Sequence, residues 1–239
     1  TGVLEQGVRF NGTNQFATAV DATSLDLTTA ITIATWLRPE KRATQYLVKK
    51  ADKHSIDGYE LSMSSGGTVY FRFNQRTAGN SYRLDSQASY PTNGTTWMHV
   101  AVSYDGSTIR LYINGVEDNT KVLSSPPAIS INTLALTFGA GDGGYRGFQG
   151  AMDDTRIYNT ALSTTEINNL ATISNTPTLA SVPQLSAPAD AATGVSVTPN
   201  LSWNASTGAD SYRVQVSTTS NFSSTLVNQS NIIGTSTSV

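Results

Sequence analysis

The stretch FGAGDGGYRGFQG, residues 138–150, places Gly139, Gly141 and Gly144 in the G-x-G-x-x-G spacing. That spacing cradles a pyrophosphate when a strand feeds a tight turn into a helix N-terminus. No helix is expected to open here: FQGAMDDTRIY continues with more glycine and with alternating, β-tolerant residues, so the segment reads as a glycine-rich loop between two strands. Acid–base chemistry finds no better footing. Two-carboxylate glycoside hydrolysis needs both acids in one cleft, whereas Asp153 and Asp154 are neighbours on an expected strand and point to opposite faces. Neither G-x-S-x-G nor H-E-x-x-H occurs. His54 falls in an expected loop, and His99 on an expected strand, where packing or hydrogen bonding accounts for it. There is no cysteine, which excludes thiol catalysis and thiolate metal sites. The residues predict no catalytic site and no enzyme.

Binding chemistry is better represented. In TVYFRFNQR, residues 68–76, Val69, Phe71 and Phe73 form an apolar face, so Tyr70, Arg72, Asn74 and Arg76 are expected to project the other way. An aromatic ring can stack on a sugar, while guanidinium and amide groups hydrogen-bond hydroxyls, carboxylates or sulfates. An ordinary outer sheet face is the alternative. Glu60 and Ser62 on the preceding strand are expected beside that row, with Tyr145 and Arg146 of the glycine loop at its rim. Nine of the 15 basic residues lie between Arg38 and Arg83, against four acidic ones in that span. This bias reads either as a solvated face or as a site for an anionic ligand, an acidic or sulfated glycan being preferred.

These residues need strands to position them. Short alternating runs between turn signals recur from residue 4 to about 158, as in an all-β sandwich. The clearest are ITIATWLRP (31–39), GYELSM (58–63), TVYFRFN (68–74), WMHVAVSYD (97–105) and TIRLYING (108–115), with hairpin signals at Asp105-Gly106 and Asn114-Gly115. One helix is expected in ALSTTEINNLAT, where Ser163 and Glu166 form a capping box and Ile167 and Leu170 share a face that covers the sandwich edge. SNTPTLASVPQLSAP, 174–188, reads as a linker into a second domain. The expected boundaries are 1–174 for the first domain, 175–183 for the linker and 184–239 for the second. Hydrophobic residues make up 38% and charged residues 13%, a polar, weakly charged composition expected of secreted β-proteins. The net charge of −2 gives no general attraction for nucleic acid or anionic lipid, and no apolar run has the length of a membrane span. The chain reads as a segment of a longer or processed protein, covalently linked to further domains.

The blocks VRFNGTNQFATA (8–19), ITIATWLRP, GYELSM, WMHVAVSYDGSTIRLYINGVED (97–118) and FQGAMDDTRIYNTALSTTEINNL (148–170) resemble, in order and spacing, the concanavalin A-like lectin/glucanase jelly roll. The likeness is closest to the laminin-G-like domains of bacterial secreted proteins. The resemblance implies two antiparallel sheets and a carbohydrate-binding or adhesive module, secreted or at the bacterial cell surface. It also implies a structural calcium near Asn11, Gly12 and Asp153, weakened here because Asn11 stands where the family often has Asp. The alternative is that Asp153 accepts backbone N–H groups at a strand end. The tail resembles a fibronectin type III or immunoglobulin-like sandwich with Trp203 and Tyr212 as core anchors, expected to lack its last strands. The function expected is a non-catalytic carbohydrate-binding module of a polysaccharide-active protein, with an adhesive or spacing module that binds a protein partner as the alternative.

Overall fold

Strands form where the sequence alternates. The computed structural model describes residues 2–3, 6–52, 56–172, 181–206, 209 and 211–239, so Lys53 and His54 lie outside the described residues. The chain divides into two units, Thr1–Asn175 and Thr176–Val239.

In the first unit the elements run β1 (Val8–Asn11), β2 (Ala17–Ala19), β3 (Ile31–Pro39), β4 (Gln45–Asp52), β5 (Ile56–Met63), β6 (Thr68–Phe73) and α1 (Gln75–Ala78). They continue with β7 (Arg83–Ser89), β8 (Met98–Tyr104), β9 (Thr108–Ile113), β10 (Val116–Val122), β11 (Leu136–Phe138), β12 (Gln149–Tyr158) and α2 (Thr164–Thr172). Two six-stranded antiparallel sheets result, in the orders β1-β12-β3-β8-β9-β10 and β2-β11-β4-β5-β6-β7, which is a jelly-roll sandwich. One core lies between them. The first sheet contributes Ile33, Leu37, Val100, Val102 and Leu111, and the second contributes Leu47, Leu61, Val69, Phe71 and Phe73. Side chains of this kind each stabilise the fold by roughly 1.5–3 kcal/mol when fully buried.

The expected hairpins are present. Asp105 Oδ1 accepts the N–H groups of Ser107 and Thr108 at 3.0 and 2.8 Å, and Asn114-Gly115 takes φ of 50° and 80° between β9 and β10, the geometry of a primed turn. The capping box is made in both directions: Ser163 N–H donates to Glu166 Oε2 at 2.8 Å, and Glu166 N–H donates to Ser163 Oγ at 3.3 Å. Helix α2 packs Ile167 and Leu170 onto Ala34, Ala101 and Tyr112, so it covers the outer face of the first sheet rather than the sandwich edge. A second helix, α1, was not expected. Its N–H groups at Arg76 and Thr77 are accepted by Asp57 Oδ1 from β5, a cap supplied from 19 and 20 residues away.

Two local expectations change. Asp153 and Asp154 do not alternate simply, because β12 carries a bulge between Asp153 and Arg156 and Asp154 takes φ of 45°. His99, by contrast, packs as expected: it is 2% exposed and meets Trp36 edge-on with ring centroids 5.3 Å apart. Burial pulls its pKa from the ordinary 6.5 down to about 4, only partly opposed by the Asp154 carboxylate. The unfolded chain therefore protonates first on acidification. The stability tied to neutral His99 is present above pH 6.5 and is lost as pH falls toward 4. Unfolding titrations should show about 2 kcal/mol lost between pH 7 and 5, a loss that His99→Gln removes. An unchanged pH slope in that variant would contradict the assignment.

The second unit holds β13 (Leu185–Ala187), β14 (Asn200–Trp203), β15 (Tyr212–Val216), β16 (Val227–Ile232) and β17 (Ser236–Ser238), paired as β13-β14-β17 and β15-β16. Trp203 is buried and meets Tyr212 edge-on at 5.3 Å, and Tyr212 Oη accepts Ser206 N–H at 2.8 Å.

Candidate functional site

The outer face of the second sheet carries the residues singled out for ligand contact, with one difference that matters. The parity is as expected: Val69, Phe71 and Phe73 enter the core, and Tyr70 and Arg72 face away from it. Yet Tyr70 is 2%, Arg72 6% and Glu60 2% exposed. These side chains consume one another. Glu60, opposite Arg72 in the β5–β6 register and opposite Lys49 in β4–β5, pairs through Oε1 with the Arg72 guanidinium and through Oε2 with Lys49 Nζ. Arg72 also donates to Asn80 Oδ1 at 2.8 Å. The Tyr70 ring lies beneath two guanidinium groups, Arg83 at 3.8 Å and Arg72 at 5.2 Å, and Arg83 is held by both oxygens of Asp85 at 2.7 and 2.6 Å. The row from Tyr70 to Arg72 is thus a packed polar layer, and the expectation that it lies open to a sugar is corrected.

Asn74 and Arg76 are not in this layer. Asn74 N–H donates to Gly58 O, whereas Tyr46 pairs with Ser62, four residues further along β5. Asn74 is buried, and its side chain donates to Ala128 O and accepts Ser130 N–H at 2.9 Å each, which makes it a clamp on the 128–130 segment. Arg76 is exposed on α1 with its N–H tied to Asp57.

The glycine loop supplies what the strand does not. Its expected loop character holds: a single 3-10 turn, Asp142–Gly144, with Gly143 and Gly144 at φ of 63° and 83°, leads into β12, and no α-helix follows to receive a phosphate. The turn holds Tyr145 51% exposed, its ring tilted 52° to that of Tyr46 at 6.2 Å. Tyr46 N–H donates to Arg146 O, and the Arg146 guanidinium lies 5.2 Å from the Tyr145 ring and 5.9 Å from that of Tyr46. Beside these rings is a pocket of about 370 Å³ lined by Tyr46, Lys49, Ala51, Asp52, Gly141, Asp142 and Tyr145. Burial, with the Glu60 carboxylate nearby, pushes the Tyr46 phenol up to about 12, so it stays neutral at physiological pH. Tyr145, expected at the rim of the β6 row, lines this pocket, and Arg146 lies against its ring. Tyr46, Lys49 and Asp142 were missed, although the run Tyr46-Leu47-Val48 offered a strand signal in β4 that its two lysines obscured.

The residues expected to hold calcium do not fit one ion. Asn11 pairs with Gln149, four residues along β12 from Asp153, or about 13 Å, whereas calcium ligands lie within roughly 2.6 Å of the metal. Asn11 Oδ1 accepts the N–H groups of Thr13, Asn14 and Gln15 at 3.0–3.2 Å, closing the turn in which Gly12 takes φ of 78°. Asp153 accepts Val3 N–H at 2.6 Å and Asp154 N–H at 2.9 Å, the backbone-accepting role that was its alternative. Among the described residues no group of three or more His, Asp or Glu side chains converges as a metal site.

This sandwich carries a closed polar layer on its second sheet and a pocket at a loop-strand junction. Residues 11–168 match the family described as Laminin_G_3, the concanavalin A-like lectin/glucanases superfamily, and the chain belongs to it. Human usherin is 29% identical over 152 residues, covering 59% of this chain, and the chain spans 3% of usherin's length. Two solved structures share the fold. The binding domain of paraclostridial mosquitocidal protein 1 has a TM-score of 0.57 at 20% identity, covering 71% of this chain and 44% of that one. The CBM40 domain of Ruminococcus gnavus IT-sialidase, bound to α2,3-sialyllactose, has a TM-score of 0.57 at 18% identity, covering 72% of this chain and all of that one.

Proposed function

We propose that the first unit is a non-catalytic carbohydrate-binding module of a secreted or cell-surface bacterial protein that acts on polysaccharide, with the second unit as part of a fibronectin-like spacer. The observation that carries this reading is the half-exposed Tyr145 ring set against Tyr46 over a pocket that also holds carboxylate and ammonium groups. An aromatic platform with a few polar groups at its edge is how a largely pre-formed site takes a small ligand. The sialyllactose complex of a fold neighbour supports the same ligand class. A binding role is also consistent with the ionisable groups: Glu60 is held by Lys49 and Arg72, and His99 is buried on the opposite sheet.

Affinity electrophoresis and glycan-array screening of the whole chain, with product analysis of each bound polysaccharide, test this. Retention without product is the expected result. Release of shortened glycan would overturn the non-catalytic assignment, and failure to bind any member of a broad panel would overturn the carbohydrate assignment in favour of a protein partner.

A further inference from the structure

We infer that the pocket between β4 and the 141–145 turn takes an uncharged sugar unit rather than an acidic or sulfated one, an inference that rests on the carbohydrate-binding assignment. It follows from where the cations go. Of the basic residues concentrated between Arg38 and Arg83, those nearest the pocket are already engaged: Lys49 and Arg72 on Glu60, and Arg83 on Asp85. Lys50, although next to Lys49 in sequence, projects elsewhere, to Asp21 Oδ1 at 2.6 Å and to the Asn132 and Leu134 carbonyls at 2.9 Å each. Lys49 also lies over the Tyr46 ring, 4.4 Å from its centroid. The sequence-level positive bias therefore does not become a positive pocket.

The pocket walls point the same way. Lys49 is the one cation lining the pocket, against Asp52 and Asp142. Lys49 is taken up by Glu60, and Arg146 is outside the pocket lining, lying against the Tyr145 and Tyr46 rings and hydrogen-bonded to Tyr145. A carboxylate or sulfate placed there would thus be desolvated beside the like charges of Asp52 and Asp142, which disfavours binding. The uncharged sugar meets the opposite situation: hydroxyls donate to the exposed Asp142 carboxylate, and the C–H face of the ring packs on Tyr145, which the turn holds 51% exposed. At about 370 Å³ the pocket is at the small end of the roughly 300–1,000 Å³ range of ligand sites, which suits a single sugar unit with the rest of the chain outside. The likeness to the sialidase domain, at 18% identity, supports carbohydrate as the ligand class and carries nothing about the charge of the sugar.

The test is calorimetric titration of the whole chain with two sets of length-matched oligosaccharides, neutral (gluco-, galacto-, manno- and arabino-) and acidic (uronate, sialylated, sulfated), each at low and high salt. Neutral ligands are expected to bind with affinity that salt hardly changes. Tyr145→Ala should weaken them at least about tenfold and Asp142→Asn about three- to tenfold, both at exposed positions where folding is not at stake. Preferential binding of an acidic ligand, lost at high salt and tightened by Asp142→Asn, would overturn the inference and leave the carbohydrate assignment standing. Neutral binding unaffected by Tyr145→Ala would overturn the location. Binding of neither set would overturn the carbohydrate assignment itself.

Discussion

Glu60→Gln is expected to lower the free energy of unfolding by about 3–5 kcal/mol, measured by chemical denaturation at neutral pH. Glu60 is 2% exposed and its two oxygens serve two cations, Lys49 at 3% and Arg72 at 7% side-chain exposure. A glutamine keeps the shape and some hydrogen bonding but leaves both positive charges buried without a counter-charge. Removing one partner of a buried pair costs more than the pair contributes, because the stranded ion keeps its desolvation penalty. The Lys49 ammonium already feels that penalty, since burial holds its pKa below the ordinary lysine value even with Glu60 beside it. Adding Lys49→Met to Glu60→Gln should consequently recover part of the loss rather than add to it, a sign reversal that a double-mutant cycle reads directly. Simple additivity of the two losses would show that the three charges do not act as a unit.

Lys50→Met is the second large effect, at about 3 kcal/mol, with its weight on a different part of the fold. The side chain is 1% exposed and its ammonium ties β4 to Asp21 and to two carbonyls of the segment that leads into β11. Methionine fills the volume and deletes all three bonds. The Asp21 carboxylate, 34% exposed, can rehydrate, so the cost falls below that of the Glu60 change. Asn132 bridges the same segment to Lys50 O and Asp57 O at 3.1 and 2.8 Å, and Asn74 clamps it at residues 128 and 130. Amide exchange in 128–134 should therefore speed up well before global unfolding does. Uniform acceleration across both sheets would indicate global destabilisation instead.

Where alternation was clean, local sequence was enough. Ile31–Pro39 was bounded to the residue, the β8–β9–β10 meander followed from its Asp-Gly and Asn-Gly turns, and α2 followed from Ser163 and Glu166. In each case the determining contacts lie within a few residues of one another. β4 was not found, because QYLVKKAD places two lysines where a buried strand should be apolar. Their burial is compensated by Glu60, 11 residues away, and by Asp21 and the carbonyls at 132 and 134, which no window on β4 contains. The same holds for α1, capped by Asp57 from a preceding strand.

The sequence by itself determined which side of β6 each residue faces, because a strand's side chains alternate whatever surrounds them. It could not determine whether the outward side is open, since exposure depends on which strands pair and in what register. Only the tertiary structure set Glu60 between Lys49 and Arg72, closed the layer over Tyr70, and left Tyr145 and Tyr46 beside the pocket to which the binding assignment attaches. Charge follows the same division: the positive residues can be counted from the chain, but their partners come from strands that meet only in the fold.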